Sequence, residues 1–166
     1  MKGILIGIGV IIGLVLGICL GGILSYKYLF KYFSKRVDRA EQMADKHLAI
    51  VNLLSMWLQN KEENLQIETY LKERNIKKIA IYGMSFVGER LYDELEKSDI
   101  EICFCIDKNA NNIYKDVEIY APEDNFDTNI DAIIVTAFTY FEEIENDLKL
   151  KVSAPIISVD DIIYSL

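Results

Sequence analysis

The chain has 166 residues, with 18 Lys and Arg against 26 Asp and Glu, for a net charge of −8. General nucleic-acid binders are normally basic, so nucleic acid is excluded as an expected partner. Once an apolar N-terminal run is set aside, the remaining length permits one domain and a connecting helix.

That run comes first. Residues 3–25 carry no charge. As a helix they would extend roughly 34 Å, enough to cross a hydrocarbon core of about 30 Å with some tilt. The run is longer than a signal-peptide core, and no small-x-small cleavage site follows it. A lipoprotein signal at Cys19 would need a small residue where Ile18 stands. A transmembrane helix over 3–25 is therefore expected. Only Lys2 precedes it, whereas Lys27, Lys31, Lys35, Arg36 and Arg39 follow closely. The positive-inside rule then puts the N-terminus outside and the C-terminal domain in the cytoplasm, as a single-pass protein of the cell membrane. Tyr26, Tyr28, Phe30, Tyr32 and Phe33 would form an aromatic belt at the same boundary, and the basic residues would meet anionic lipid heads. Gly9, Gly13, Gly17 and Gly21 recur every four residues. A stripe of small residues lets membrane helices approach closely, which allows self-association or docking on a partner helix; glycine is also simply common in such spans.

Residues 26–75 read as a helical juxtamembrane linker. Between 34 and 59 there is neither proline nor glycine, and Val37, Ala40, Ala44, His47, Val51, Leu54 and Leu58 recur at three and four. That stripe suits a coiled-coil seam or packing on the following domain. Met43, Leu48, Ile50, Leu53, Met56 and Trp57 widen the apolar face and favour packing on protein. Residues 59–64 break the pattern as a loop, and a short helix is expected over about 65–74.

From 76 to 166 the pattern is that of an α/β domain. Strands are expected at 77–83, 100–107, 117–120, 132–136 and 154–158. Helices are expected at 86–97 and 140–150, with a short one closing the chain at 160–166. Near-continuous apolar strands alternating with helices predict a Rossmann-like, mostly parallel sheet with flanking helices. Cys103 and Cys105 are two apart in a strand and should point the same way. One C-x-C with a single histidine, His47, makes a poor metal site, and small apolar residues in a reduced compartment is the simpler reading.

The first strand–helix turn reads Gly83-Met-Ser-Phe-Val-Gly88. Against the dinucleotide fingerprint G-x-G-x-x-G, Gly83 and Gly88 match, and Ser85 replaces the middle glycine. The first glycine permits the tight turn, the third brings helix and strand close, and the middle one admits a pyrophosphate. The Ser85 Cβ adds crowding there, while its hydroxyl could donate to a phosphate. The helix N-terminus adds free N–H groups. Asp107, at the end of the second strand, is placed to bind ribose hydroxyls. Thr136, with Phe138 beyond it, would complete a crevice above the strand ends. Gly83, Ser85, Gly88, Asp107 and Thr136 are thus the candidate cofactor-binding residues. The competing explanation assigns the glycines to turn and packing, Asp107 to capping its strand, and Thr136 to finishing its own.

Residues 79–95, then Cys105-Ile-Asp-Lys-Asn109, Asp131-Ala-Ile-Ile-Val-Thr136 and residues 155–163, together resemble an accessory domain of bacterial cell-surface polysaccharide biosynthesis proteins. That domain is found beside glycosyltransferases and methyltransferases, and is similar to the nucleotide-binding part of sugar-nucleotide epimerases and dehydratases. The resemblance covers about 60–166. It implies a Rossmann fold, NAD(P) or a nucleotide-sugar as ligand, and a glycosyltransferase or another polysaccharide enzyme as partner. Ser85 departs from its loop glycine.

Epimerases of that type need Tyr-x-x-x-Lys, in which the lysine lowers the tyrosine pKa for proton transfer. None of the ten tyrosines has a lysine four residues on. Glu142, Glu143 and Glu145 read as a solvated helix face, and Glu123 and Asp124 as part of a turn after Pro122. No catalytic or metal-binding residue is assigned. The sequence reads as a membrane-anchored, non-catalytic accessory or regulatory module. The alternatives are an NAD-dependent sugar-nucleotide enzyme completed by a partner subunit, and a ligand-free interaction module.

Overall fold

The structure is a computed structural model that describes residues 2–126 and 129–166, with the side chains at 2, 4–12, 15 and 16 outside the description. It divides into two compact units, one up to His47 and one from Leu48 to Leu166. Helix α1 (Lys2–Glu62) contributes to both.

In the first unit the described side chains of α1 are almost all exposed. They include the five expected belt residues, Tyr26, Tyr28, Phe30, Tyr32 and Phe33. Tyr26 and Phe30 stack at 6.1 Å between ring centroids. Among the described residues, no helix is long and apolar enough to cross a membrane. Of the 23 residues of the span expected at 3–25, 11 have side chains outside the description, Gly9 among them. A Cβ added at Gly13, Gly17 or Gly21 would meet nothing within 4 Å.

The second unit begins with the last turns of α1. Leu53 and Trp57 are buried there, and the buried Asn60 amide donates to the Ile163 carbonyl at 2.7 Å. The segment expected as linker over 26–75 therefore splits, with residues 48–75 forming part of the domain core. Helix α1 also runs through Gln59 and stops at Glu62, a shorter break than the expected loop. Asn64 takes φ 61° while the Leu65 N–H reaches back to the Asn60 carbonyl. After α2 (Ile67–Glu73), Asn75 at φ 59° repeats the device, with the Ile76 N–H on the Leu71 carbonyl. Asparagine tolerates this left-handed conformation because its short polar side chain can bond locally.

Five strands follow: β1 (Lys78–Tyr82), β2 (Glu101–Ile106), β3 (Glu118–Tyr120), β4 (Ala132–Val135) and β5 (Ile156–Ser158). All four pairings are parallel, in the order β3-β2-β1-β4-β5. Helix α3 (Phe86–Leu95) joins β1 to β2, α4 (Phe141–Leu148) joins β4 to β5, and α5 (Val159–Ser165) ends the chain. Alternating side chains feed two cores, one on each sheet face. Ile79, Ile81, Ala132 and Ile134 pack with α2, α3, α5 and the end of α1. Ala80, Ile133 and Val135 pack with Ile144 and Leu148 of α4. Two buried faces explain why the strands read as unbroken apolar runs.

One expectation fails in β2. The pairing with β1 steps from Ile79↔Ile102 to Ala80↔Phe104, a bulge that leaves Cys103 unmatched. A bulge inserts one residue and resets the alternation. Cys105 accordingly enters the core shared with α3, whereas Cys103 packs toward the α4 side. The two thiols do not point the same way.

Candidate functional site

In an open parallel sheet, ligands bind beyond the carboxyl ends of the strands where the strand order reverses. Here that point lies between β1, which is followed by Gly83, and β4, which is followed by Thr136. The structure brings Gly83, Gly88 and Thr136 together, and Asp107 bonds into the same turn.

Gly83 adopts φ +94°, a backbone that side-chain-bearing residues rarely take, and an added Cβ would lie 2.9 Å from Thr136 Oγ1. At Gly88 the constraint is one of space. A Cβ there would stand 1.9 Å from the Gly83 carbonyl oxygen and 3.1 Å from Thr136 Oγ1. The two glycines thus fill the first and third roles of the fingerprint, a tight turn and a helix set hard against the strand end.

Asp107 is tied to the turn. Its Oδ2 accepts the Met84 N–H at 2.7 Å and its Oδ1 accepts the Asn109 N–H at 2.7 Å. Thr136 is buried, with its hydroxyl between the carbonyls of Tyr82 and Gly83, donating to one at a time. It locks β1 to the turn instead of offering its hydroxyl to solvent. Ser85 is exposed at the start of α3, and its side chain makes no capping bond to the helix. The first N–H groups of any α-helix lack intrahelical acceptors, so those at the head of α3 are left for an anion or water.

A crevice of about 470 Å³ opens beyond β4 and β5, lined by residues 138–143 with Ser158, Asp160 and Asp161. Of the candidate residues only Phe138 reaches it. Glu142, Glu143, Asp160 and Asp161 make its wall acidic, a poor environment for phosphate. Glu145 turns aside to pair with Lys149 at 2.9 Å, and Asp124 accepts the Ala121 N–H at 2.8 Å within a turn. Burial pushes the Cys105 thiol up to about 12, which leaves it a neutral core residue. Burial also raises the Tyr82 hydroxyl, with the surrounding carboxylates adding to the effect.

The tie between Met84 and Asp107 is the feature that sequence reasoning missed. An acid at the end of a second strand reads as a ribose ligand, and nothing in the pattern marks the backbone N–H that it accepts.

Residues 75–157 match the family model described as C2185-like, N-terminal. The chain belongs to this C2185-like family. No curated protein and no solved structure matches it. The C2185-like match takes in β1 through β4 and most of β5, together with the Gly83 turn, Asp107 and Thr136. The end of α1, α2 and α5, which cover one face of the sheet, lie outside it.

Proposed function

We propose that this protein is a membrane-anchored Rossmann-type module that binds a dinucleotide or nucleotide-sugar at the head of α3. It acts as a non-catalytic accessory in cell-surface polysaccharide assembly. The observation that carries the binding reading is the Gly83–Gly88 turn at the reversal of strand order, with Asp107 beside it. The anchor rests on the uncharged run at 3–25 and the basic residues after it, and the polysaccharide setting rests on the resemblance over 60–166. Phosphate oxygens would meet the free N–H groups of α3 and the Ser85 hydroxyl. Each Asp107 oxygen keeps a second lone pair with which to accept a ribose hydroxyl.

The same tie favours a second reading, a ligand-free interaction module. Asp107 already accepts two backbone N–H groups, those of Met84 and Asn109, and sets a negative charge beside the cradle. The two readings separate in calorimetry or native mass spectrometry of the full-length protein in detergent micelles, against NAD, NADP and UDP-sugars. Saturable binding that is lost in Ser85→Trp, with thermal unfolding by circular dichroism unchanged, is the expected result. No binding, or binding that survives Ser85→Trp, would overturn it.

A further inference from the structure

We infer that the outer face of the second half of α1 is a parallel pairing surface for a second copy of this chain. Leu53, Trp57 and Asn60 are buried against the domain, while Leu48, Val51 and Leu58 stay more than half exposed. At about 100° per residue, Val51 lies roughly 160° around the helix from Leu53 and roughly 120° from Trp57, and Leu58 lies roughly 140° and 100° from the same two. The helix is thus apolar on two faces, and its own domain covers only one.

The uncovered face has a heptad register. Val37, Ala44, Val51 and Leu58 fall at a, and Ala40, His47 and Leu54 at d, with Leu54 at the edge of the face, half-buried against the chain's own domain. In one heptad, that of Val51 and Leu54, valine at a meets leucine at d, the combination that favours two parallel strands. The buried Leu53 and Asn60 occupy c and Trp57 occupies g, so in a dimer each domain would sit beside the seam, along the g edge of its own helix.

The flanking charges select the partner and its direction. In a parallel pair, a g residue meets the e residue five positions further along the partner helix. Arg36 is at g and Glu41 at e, so each helix would offer Arg36 to the other's Glu41. Met43 and Leu48, the next such pair, are both apolar and exposed. The seam does not suffer from the acidity of the whole chain. Residues 34–62 carry Lys35, Arg36, Arg39, Lys46 and Lys61 against Asp38, Glu41, Asp45 and Glu62. The alanines and His47 make this a seam of modest strength, suited to two chains already held at one membrane surface.

The test is cysteine cross-linking of the full-length protein in detergent micelles, in a Cys19→Ser background. Val51→Cys and Leu58→Cys, both on the seam, should each give a covalent dimer on mild oxidation. Asn52→Cys, exposed at position b, should not. Arg36→Glu should reduce cross-linking at Val51→Cys by about threefold to tenfold, and Arg36→Glu with Glu41→Arg should restore it. Cross-linking at only one seam position would mean an antiparallel or shifted pair. Equal cross-linking at Asn52→Cys would mean unspecific association, and a monomer by sedimentation would leave the face to lipid or a foreign partner. Each of these results overturns the inference.

Discussion

Gly88→Ala is the most incisive perturbation of the site. In the interior of a helix, glycine to alanine should stabilise by about 1 kcal/mol through propensity alone. At Gly88 the new Cβ would stand 1.9 Å from the Gly83 carbonyl oxygen, a backbone atom, and contacts below 3.0 Å are essentially never seen. The head of α3 must therefore retreat by about 1 Å or the turn must yield. Retreat loosens Val87, Leu91, Tyr92 and Leu95, all buried against the sheet. A gap of about 0.5–1 Å forfeits a quarter to a half of each contact's dispersion energy. Set against the propensity gain, the net loss should be about 2–4 kcal/mol. The single tryptophan, Trp57, is buried in the same core and reports unfolding in urea or on heating. A fall in Tm of about 10 °C is expected. Ser85→Ala, at an exposed side chain with no capping bond, should change stability by less than about 0.5 kcal/mol. A Gly88→Ala protein as stable as the parent, or more so, would refute the close approach and with it the geometry assigned to the turn.

Three further outcomes follow from single contacts. Asn60→Ala leaves the Ile163 carbonyl without its donor in a buried place and should cost about 1–3 kcal/mol in the same unfolding assay; a loss under about 0.5 kcal/mol would show that α5 is held by other contacts. Cys105 should resist alkylation near pH 8 in the folded protein and react only on unfolding, followed by mass spectrometry, because burial holds its thiol at about 12; labelling as fast in the folded as in the unfolded protein would contradict this. Asp131 accepts the backbone N–H groups of Lys77 and Lys78 through one oxygen, which lowers its carboxyl below the ordinary value. A folded-state value below the unfolded one contributes stability above about pH 4 that is lost as pH falls through the folded value. Asp131→Asn should therefore flatten the acid limb of the stability–pH curve, and an unchanged limb would assign the acid sensitivity elsewhere.

Much of the sheet was legible because its inner strands, β1, β2 and β4, are buried on both faces. Runs such as Ala132-Ile-Ile-Val135 can hardly be anything but central strands when helical patterns flank them. The helix spacing of Val87, Leu91 and Leu95 was equally plain. Less legible were features set by tertiary contact. Periodicity alone cannot say which of two apolar faces of α1 meets the domain, so the division at His47 went unread. The bulge at Cys103 leaves no mark in a continuous apolar run, and strict alternation therefore misplaced one thiol. Within the site, Gly83 and Gly88 were readable because their roles are steric. The bond between Asp107 and the Met84 N–H was not, since an acid at that point serves a ribose or its own backbone equally well.

That ambiguity decides how the site must be probed. Every part of the fingerprint match that the structure accounts for is accounted for within the protein. Gly83 makes room for Thr136, Gly88 makes room for the Gly83 carbonyl, and Asp107 holds the turn closed. The two glycines would be required by this packing even if no ligand ever bound. A Gly83→Val protein that fails to bind would therefore say nothing about phosphate, because valine at φ +94° against Thr136 would disturb the fold first. Ser85 is the one candidate residue that is exposed and makes no capping bond. It stands beside the first N–H groups of α3, which helix geometry leaves open. Substitution there alters access to α3 with little effect on stability, so any effect of Ser85→Trp on binding reports the ligand and not the scaffold.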